Sequence, residues 1–564
     1  MRFALFLAAA PLLAPLSAPL RALTPSGTFG QAPLRTEARE LRLQNGARVL
    51  VVERPGIGAF HATLCFRGGA AEEPPEMQGA STLLARTLYA ETRPEDLESP
   101  PRALEDQLTQ EDGLRESLRV ERRRLERGSS SEARVEELEA TLRALEARRR
   151  AGAPSSTTDL YLDLGGRTQA RVSQDALTFS VDLPQTQLEA FLKTEALRLQ
   201  ALRLARFPEA RASLLAELKD PTRDRGTALL AAAALPGHPY GRELQGSTGS
   251  LEGLRWSELR AYARGRLVPE RLLMVLVGDL GTAPLLPLLE KTFGTLKAQE
   301  APEPALFDQD GDLGSRRIQA QSGTRDRLLV AWRVPPRSHP DFIALRALLA
   351  CLVEGPSSRL HQRLVNRGLA KSVSGSLGAT GSRQTALLQL DLEPADGVGL
   401  ASLEGGLQAE ILRLQQEPLG PQEWQRLIQQ GELTQALDTQ SASALARALA
   451  LGWAEGGDWR LALTAVDRMA KLASETLQAA ARKHLQPSHL TEAFLAPELA
   501  ATDPLEASAA QVLRTLARRR IEDPAQIETL VSETLRQLRM LPREDRERSL
   551  KLLQDQVKEG VKLP

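Results

Sequence analysis

Residues 62–90 read ATLCFRGGAAEEPPEMQGASTLLARTLYA, and the succession of strand, glycine pair, proline loop and helix in that stretch sets the frame for the rest of the chain. The apolar run Phe60–Arg67 has the length of a buried strand. Gly68 and Gly69 end it, and Glu72–Pro75 form a loop. Beyond Gly79 the apolar residues Ala80, Leu83, Leu84 and Leu88 recur at helical spacing up to Tyr89. Just upstream, Leu41–Glu53 alternates around Asn45-Gly46, a hairpin turn between two short strands.

Downstream the composition shifts to Arg, Glu and Leu over residues 102–150. Leu104, Leu108, Leu118 and Leu125 precede the turn Gly128–Ser131, and Val135, Leu138, Leu142 and Leu145 follow it. That pattern predicts an antiparallel helical hairpin packing on itself or its lobe, its charges serving as a solvated face. Strands at Ala176–Asp182 and Leu272–Gly278 and helices at Gln185–Arg203, Glu209–Leu218 and Ala283–Phe293 complete a first half.

The second half repeats the order. It has a strand Arg327–Val334, a helix Pro340–Val353, a strand Ala386–Leu392, helices Leu400–Gln415, Pro421–Leu437 and Glu475–Leu485, and a strand Thr491–Leu495. The repetition predicts an α+β fold of two lobes, 35–298 and 312–497, followed by a helical tail over 505–564.

Composition narrows the function. At 564 residues the chain exceeds a single core, and Lys+Arg and Asp+Glu balance at 72 each, so no global field favours nucleic acid. Residues 1–22 place Arg2 before the apolar run Phe3–Leu16 and a small-residue, proline-bearing end, the order of a signal peptide. Export to the periplasm or beyond is the expectation, with no membrane span after the signal is removed. Cys65 and Cys351 sit on apolar stretches and are expected as buried free thiols.

Several stretches in register resemble the pitrilysin/insulinase (M16) family of zinc peptidases. They are LRLQNGARVLVVERP (41–55), ATLCFRGGAAEEPPEMQGAS (62–81), PGHPYGRELQGSTGSLEGL (236–254), ELRAYARGRLVPERLLMVLVGDL (258–280) with FGTL (293–296), and GPSSRLHQRLVNRGLAKSVS (355–374). The resemblance spans about residues 35 to 497. It implies two homologous LuxS/metallohydrolase-like α/β sandwich lobes forming a clamshell, and it makes the helical hairpin a feature shared with bacterial relatives.

Active relatives carry H-x-x-E-H on the first long helix, two imidazoles one turn apart holding zinc and a glutamate activating water. Registered on Gly79, the motif positions here are Thr82, Leu83, Leu84, Ala85 and Arg86. Both histidines and the glutamate are replaced, so no catalytic residue and no zinc are expected. In FPEARASLLAELKD (207–220) the resemblance makes Glu217 the family's third-ligand position, expected here as a structural or vestigial carboxylate with Arg86 as its candidate partner. The six histidines, His61, His238, His339, His361, His484 and His489, include no pair three or four apart on a helix.

In the second lobe the resemblance leaves the substrate-binding residues open. Arg359 and Arg363 are candidates, as is Lys371, which stands where relatives commonly keep a tyrosine. The expected function is a catalytically degenerate subunit that pairs with an active zinc-bearing homologue, or with itself, in peptide processing. The alternatives are an active zinc metalloendopeptidase with a rebuilt site, and a stand-alone envelope scaffold that binds unfolded peptides.

Overall fold

The computed structural model describes residues 37–90, 102–151, 156–220, 223–280, 285–300, 314–497, 504–518, 521, 524–539 and 548–554. The expected signal peptide, 1–22, lies outside them.

Asn45-Gly46 turns the chain between β1 (Ala38–Arg42) and β2 (Arg48–Glu53), Gly46 taking φ 93° and the Leu43 N–H bonding the Ala47 carbonyl at 2.9 Å. With β3 (Ala59–Arg67), β4 (Arg167–Val172), β5 (Ala176–Pro184) and β6 (Leu272–Gly278) they form a six-stranded sheet in the order β1-β2-β6-β3-β5-β4. Only β2 and β6 run parallel.

The second sheet is a near copy. Strands β7 (Arg316–Gln321), β8 (Arg327–Val334), β9 (Ala370–Leu377), β10 (Ala386–Pro394) and β11 (Leu490–Ala496) lie in the order β7-β11-β8-β10-β9, with β7 and β11 the parallel pair. Dropping β1 makes the two sheets superimpose strand for strand in direction and order, as expected of a duplicated α+β unit.

The strands that the sequence pattern does not single out, β4, β7 and β9, all lie on sheet edges. An edge strand is covered less completely than a central one and can alternate polar residues, as RTQARV and RRIQAQ do, so it lacks the apolar run that betrays a central strand. Central β6, by contrast, is buried at every residue.

Helices cover both faces of each sheet. On the first, alternate residues of β3 (Phe60, Ala62, Leu64 and Phe66) pack with Leu83, Leu84 and Leu88 of α1 (Ala80–Leu88). The helices α2 (Arg102–Glu126) and α3 (Glu132–Ala151) make the predicted hairpin, joined by Leu118, Val135 and Leu138. Its base is tied down by buried Arg149, which binds Glu111 at 2.7 Å and, at 2.6 Å, Glu209 on α4 (Phe207–Leu218).

The lobes also exchange cover. From the first half, Leu230, Ala231 and Ala234 of α5 (Gly226–Ala234) pack against Leu329, Ala331, Leu387 and Leu495 of the second sheet. The second lobe's own first helix is α6 (Phe342–Val353), and a later helix, α7 (Ala442–Gly456), crosses back. Its Leu445, Leu449 and Trp453 press on Leu50, Cys65 and Val275 on the far face of the first sheet. Helix α7 is absent from the sequence-based expectation. It is alanine-rich, and its role becomes visible only against the foreign sheet that it covers.

Polar contacts close the same seam. The buried Asp175 carboxylate accepts from the Tyr240 hydroxyl and from the backbone N–H groups of Ser382 at 2.7 Å and Arg383 at 3.2 Å. Burial raises its pKa, and those three donors oppose the rise. The tail forms a cluster of its own through Leu513, Ile527, Val531 and Leu535. Of its last expected helix, 543–557, only 548–554 falls within the described residues, where it is helical. Among the described residues no helix is long and apolar enough to cross a membrane.

Candidate functional site

Helix α1 is placed by the loops that open it. Gly79 takes φ 93°, and a Cβ there would meet the Gln245 carbonyl at 2.6 Å. Gly246, at φ 75°, would meet the Gln78 carbonyl at 2.2 Å, so two backbones touch where only glycine fits. Glu73 then accepts the N–H groups of Gly79 at 2.7 Å and Ser81 at 2.6 Å, at the positive end of the helix. Its burial nevertheless pushes the carboxyl up to about 7.

The motif positions expected from the sequence, Thr82, Ala85 and Arg86, lie on this helix. Thr82 is buried, and its hydroxyl donates to the Leu244 carbonyl at 2.5 Å. Ala85 offers a methyl group. One turn on from Thr82, Arg86 is the one residue of α1 that is not buried. Its guanidinium grips Glu217 of α4 with both nitrogens, Nη1 to Oε1 at 2.6 Å and Nη2 to Oε2 at 2.7 Å. This fork holds the Glu217 carboxyl below its ordinary range.

Zinc does not fit this set. The ion takes thiolate, imidazole or carboxylate donors and needs about three from the protein. Here the hydroxyl is committed to a carbonyl, the methyl has no lone pair, and the guanidinium is a fixed cation. The one carboxylate has both oxygens occupied by that cation. Among the described residues no group of three His, Cys, Asp or Glu side chains could hold a metal ion.

Three of the histidines are engaged elsewhere. His238 accepts the Tyr240 N–H at 3.0 Å and lies 3.3 Å from Gln384. The fold does bring together a pair that sequence spacing hides, since His339 and His484 have ring centroids 6.3 Å apart around Asp341 at the start of α6. Asp341 bonds His484 Nε2 at 2.8 Å and the Lys483 ammonium at 2.9 Å. A lysine already supplies the positive charge there. These partners, His484 first, lower the Asp341 carboxyl to about 2.

The second-lobe candidates do not converge on a shared ligand position. Arg359 forks onto Glu423 at 2.7 and 2.8 Å, Arg363 meets Glu410 at 3.1 Å, and Lys371 meets Asp396 at 2.8 Å. Both cysteines are free and buried, and burial pushes the Cys65 thiol up to about 12.

A two-lobed, duplicated α+β fold, with Arg86 of α1 and Glu217 of α4 closed into an ion pair, defines the class to which the chain is compared. Residues 256–430 match the family described as peptidase M16 inactive domain. An uncharacterized zinc protease of Mycobacterium leprae is 28% identical over 162 residues, 28% of this chain and 36% of that protein. Among solved structures, a protease from Helicobacter pylori aligns with TM-score 0.67 at 17% identity, covering 82% of this chain and all of the other. The peptidase M16 inactive domain from Pseudomonas fluorescens aligns with TM-score 0.62 at 15% identity, over 82% of this chain and 98% of that one. Residues 256–430 thus carry a peptidase M16 inactive-domain match, the fold is that of the M16 peptidases, and the chain spans about a third of the length of the curated relatives it matches.

Proposed function

We propose that this chain is a catalytically degenerate M16 subunit that pairs with a zinc-bearing homologue and helps to enclose peptides for processing. The observation that carries the reading is the Arg86–Glu217 fork, which puts a permanent cation against the one remaining ligand position. Arginine cannot give up its proton to become a ligand at any physiological pH. The intact scaffold around that position supports a role in assembly, because the loops that hold α1 in place persist without the residues they would have served. Residues 1–22 support export, which would put the pair in the envelope or outside the cell.

Mixing the purified chain with a zinc-bearing M16 homologue at micromolar concentration tests the pairing by light scattering. A complex of summed mass is expected. Two unassociated species would count against the reading, and chelator-sensitive peptide hydrolysis by the chain alone would replace it with a rebuilt metallopeptidase site.

A further inference from the structure

We propose that a polar pocket between the first-lobe sheet and the start of α7 holds the carboxylate at the C-terminal end of a peptide. The far face of β3 presents His61, Thr63 and Cys65 in alternation. At Cys65 that face is apolar and sealed by α7. Two residues away it is polar, and beside the first turn of α7 a cavity of about 200 Å³ remains.

Its floor is a fixed hydrogen-bond chain between strands in register. His61 stands directly opposite Asp182, and Thr63 opposite Ser180. Asp182 Oδ1 bonds His61 Nδ1 at 2.7 Å, His61 Nε2 bonds Thr63 Oγ1 at 2.9 Å, and Thr63 Oγ1 bonds Ser180 Oγ at 2.8 Å. His61 and Thr63 are only 4% and 1% exposed, so the chain is built into the sheet. It also engages Oδ1 of Asp182.

The walls carry an excess of positive charge. Arg171 on β4 and Arg447 on α7 both line the cavity, and among the described residues neither forms an ion pair. Arg86, Arg359 and Arg363, by contrast, each hold a carboxylate. Both are exposed and screened by solvent, so they can stand side by side, and an anion entering the cavity meets positive charge from two walls. A guanidinium fork matches a carboxylate in shape and charge. The neighbouring hydroxyls of Thr178 and Ser443 add uncharged hydrogen-bonding groups.

Size limits the occupant. Ligand sites for whole drug-sized molecules run to roughly 300–1,000 Å³, so this cavity suits a chain end or one side chain. Taking the carboxylate to belong to a peptide rests on the function proposed above.

Isothermal titration of the full chain with three versions of one unstructured peptide tests the assignment: free C-terminal acid, C-terminal amide, and amide with an internal glutamate. The free acid is expected to bind about tenfold or more tighter than either amide, the scale of a charge-assisted pair. Replacing both arginines, Arg171→Gln with Arg447→Gln, should abolish that preference and leave the circular dichroism unchanged.

Equal binding of acid and amide, or a preference that survives the double substitution, overturns the pocket assignment and leaves the peptide-enclosing reading intact. Binding of the internal glutamate as tightly as the free acid overturns the assignment to a chain end. If no version binds, the pocket assignment and its peptide basis fail together, while the light-scattering measurement of pairing stands apart.

Discussion

The helices α1 and α6 follow equivalent strands of two matching sheets, β3 and β8, yet they differ in what they keep. Helix α6 is core, with Ile343–Leu345 and Ala347–Leu352 all buried; Asp341 at its start bonds His484, and its outward arginine, Arg346, reaches only Glu354, the residue just past its own C-terminal end. Helix α1 is also packed into its lobe, but it retains one outward position, Arg86, aimed across a gap at Glu217. The two sheets are matching scaffolds, and only the first sets an arginine of its leading helix against a carboxylate of another helix, α4. On the function proposed above, that ion pair stands where a metal would lie, and the difference from an active relative is one of side chains on an unchanged framework.

Restoring the side chains is the strongest way to break this comparison. The triple substitution Thr82→His, Ala85→Glu and Arg86→His would set two imidazoles one turn apart facing Glu217. It should bind about one zinc per chain, because three protein ligands suffice. Elemental analysis after dialysis checks this, and failure to bind would mean that the register on Gly79 is wrong.

The exchanged helices make the next test. Leu449→Ala on α7 empties a fully buried position against the first sheet, and it should cost about 2–5 kcal/mol in urea unfolding. A much smaller loss would show that α7 lies on the sheet without being packed against it.

Acid separates the two helices more gently. Asp341 has a depressed folded pKa, so its stabilisation is complete above the ordinary aspartate value and is lost as pH falls toward about 2. Glu217 behaves in the same direction through Arg86. Asp341→Asn should flatten the acid limb of a stability–pH profile measured by urea unfolding. An unchanged limb would remove Asp341 from the account.

The smallest effect belongs to the Arg86–Glu217 pair itself. Both side chains are partly solvated, at 31% and 45% exposed. Arg86→Ala should therefore cost only about 0.2–1 kcal/mol, as rim pairs do. A larger loss in urea unfolding would make the fork a structural element in its own right.

These magnitudes also explain what could be read from the sequence. Central strands such as Leu272–Gly278 and helices such as Phe342–Val353 are legible because burial on all sides forces apolar runs. Edge strands β4, β7 and β9 are not, since an edge position tolerates polar residues and leaves no apolar run, and the crossing helix α7 is not, since the sheet that it covers lies far along the chain. The site divides in the same way. Gly79, on which the resemblance registers Thr82, Ala85 and Arg86, stands at a left-handed turn that brings two backbones into contact and admits only glycine. Whether Arg86 and Glu217 meet depends on α1 and α4 packing across 131 residues of sequence. The His61–Thr63–Ser180 chain was hidden for a related reason, because it is made by strand register between β3 and β5, which no local spacing records.

The metal content of the purified, unmodified chain bears most directly on all of this. With an arginine fork closed over the last carboxylate, zinc should remain far below one equivalent after growth in zinc-supplemented medium, and chelator should leave both stability and peptide binding unchanged. One tightly held zinc per chain, released by chelator with loss of peptide cleavage, would contradict the account.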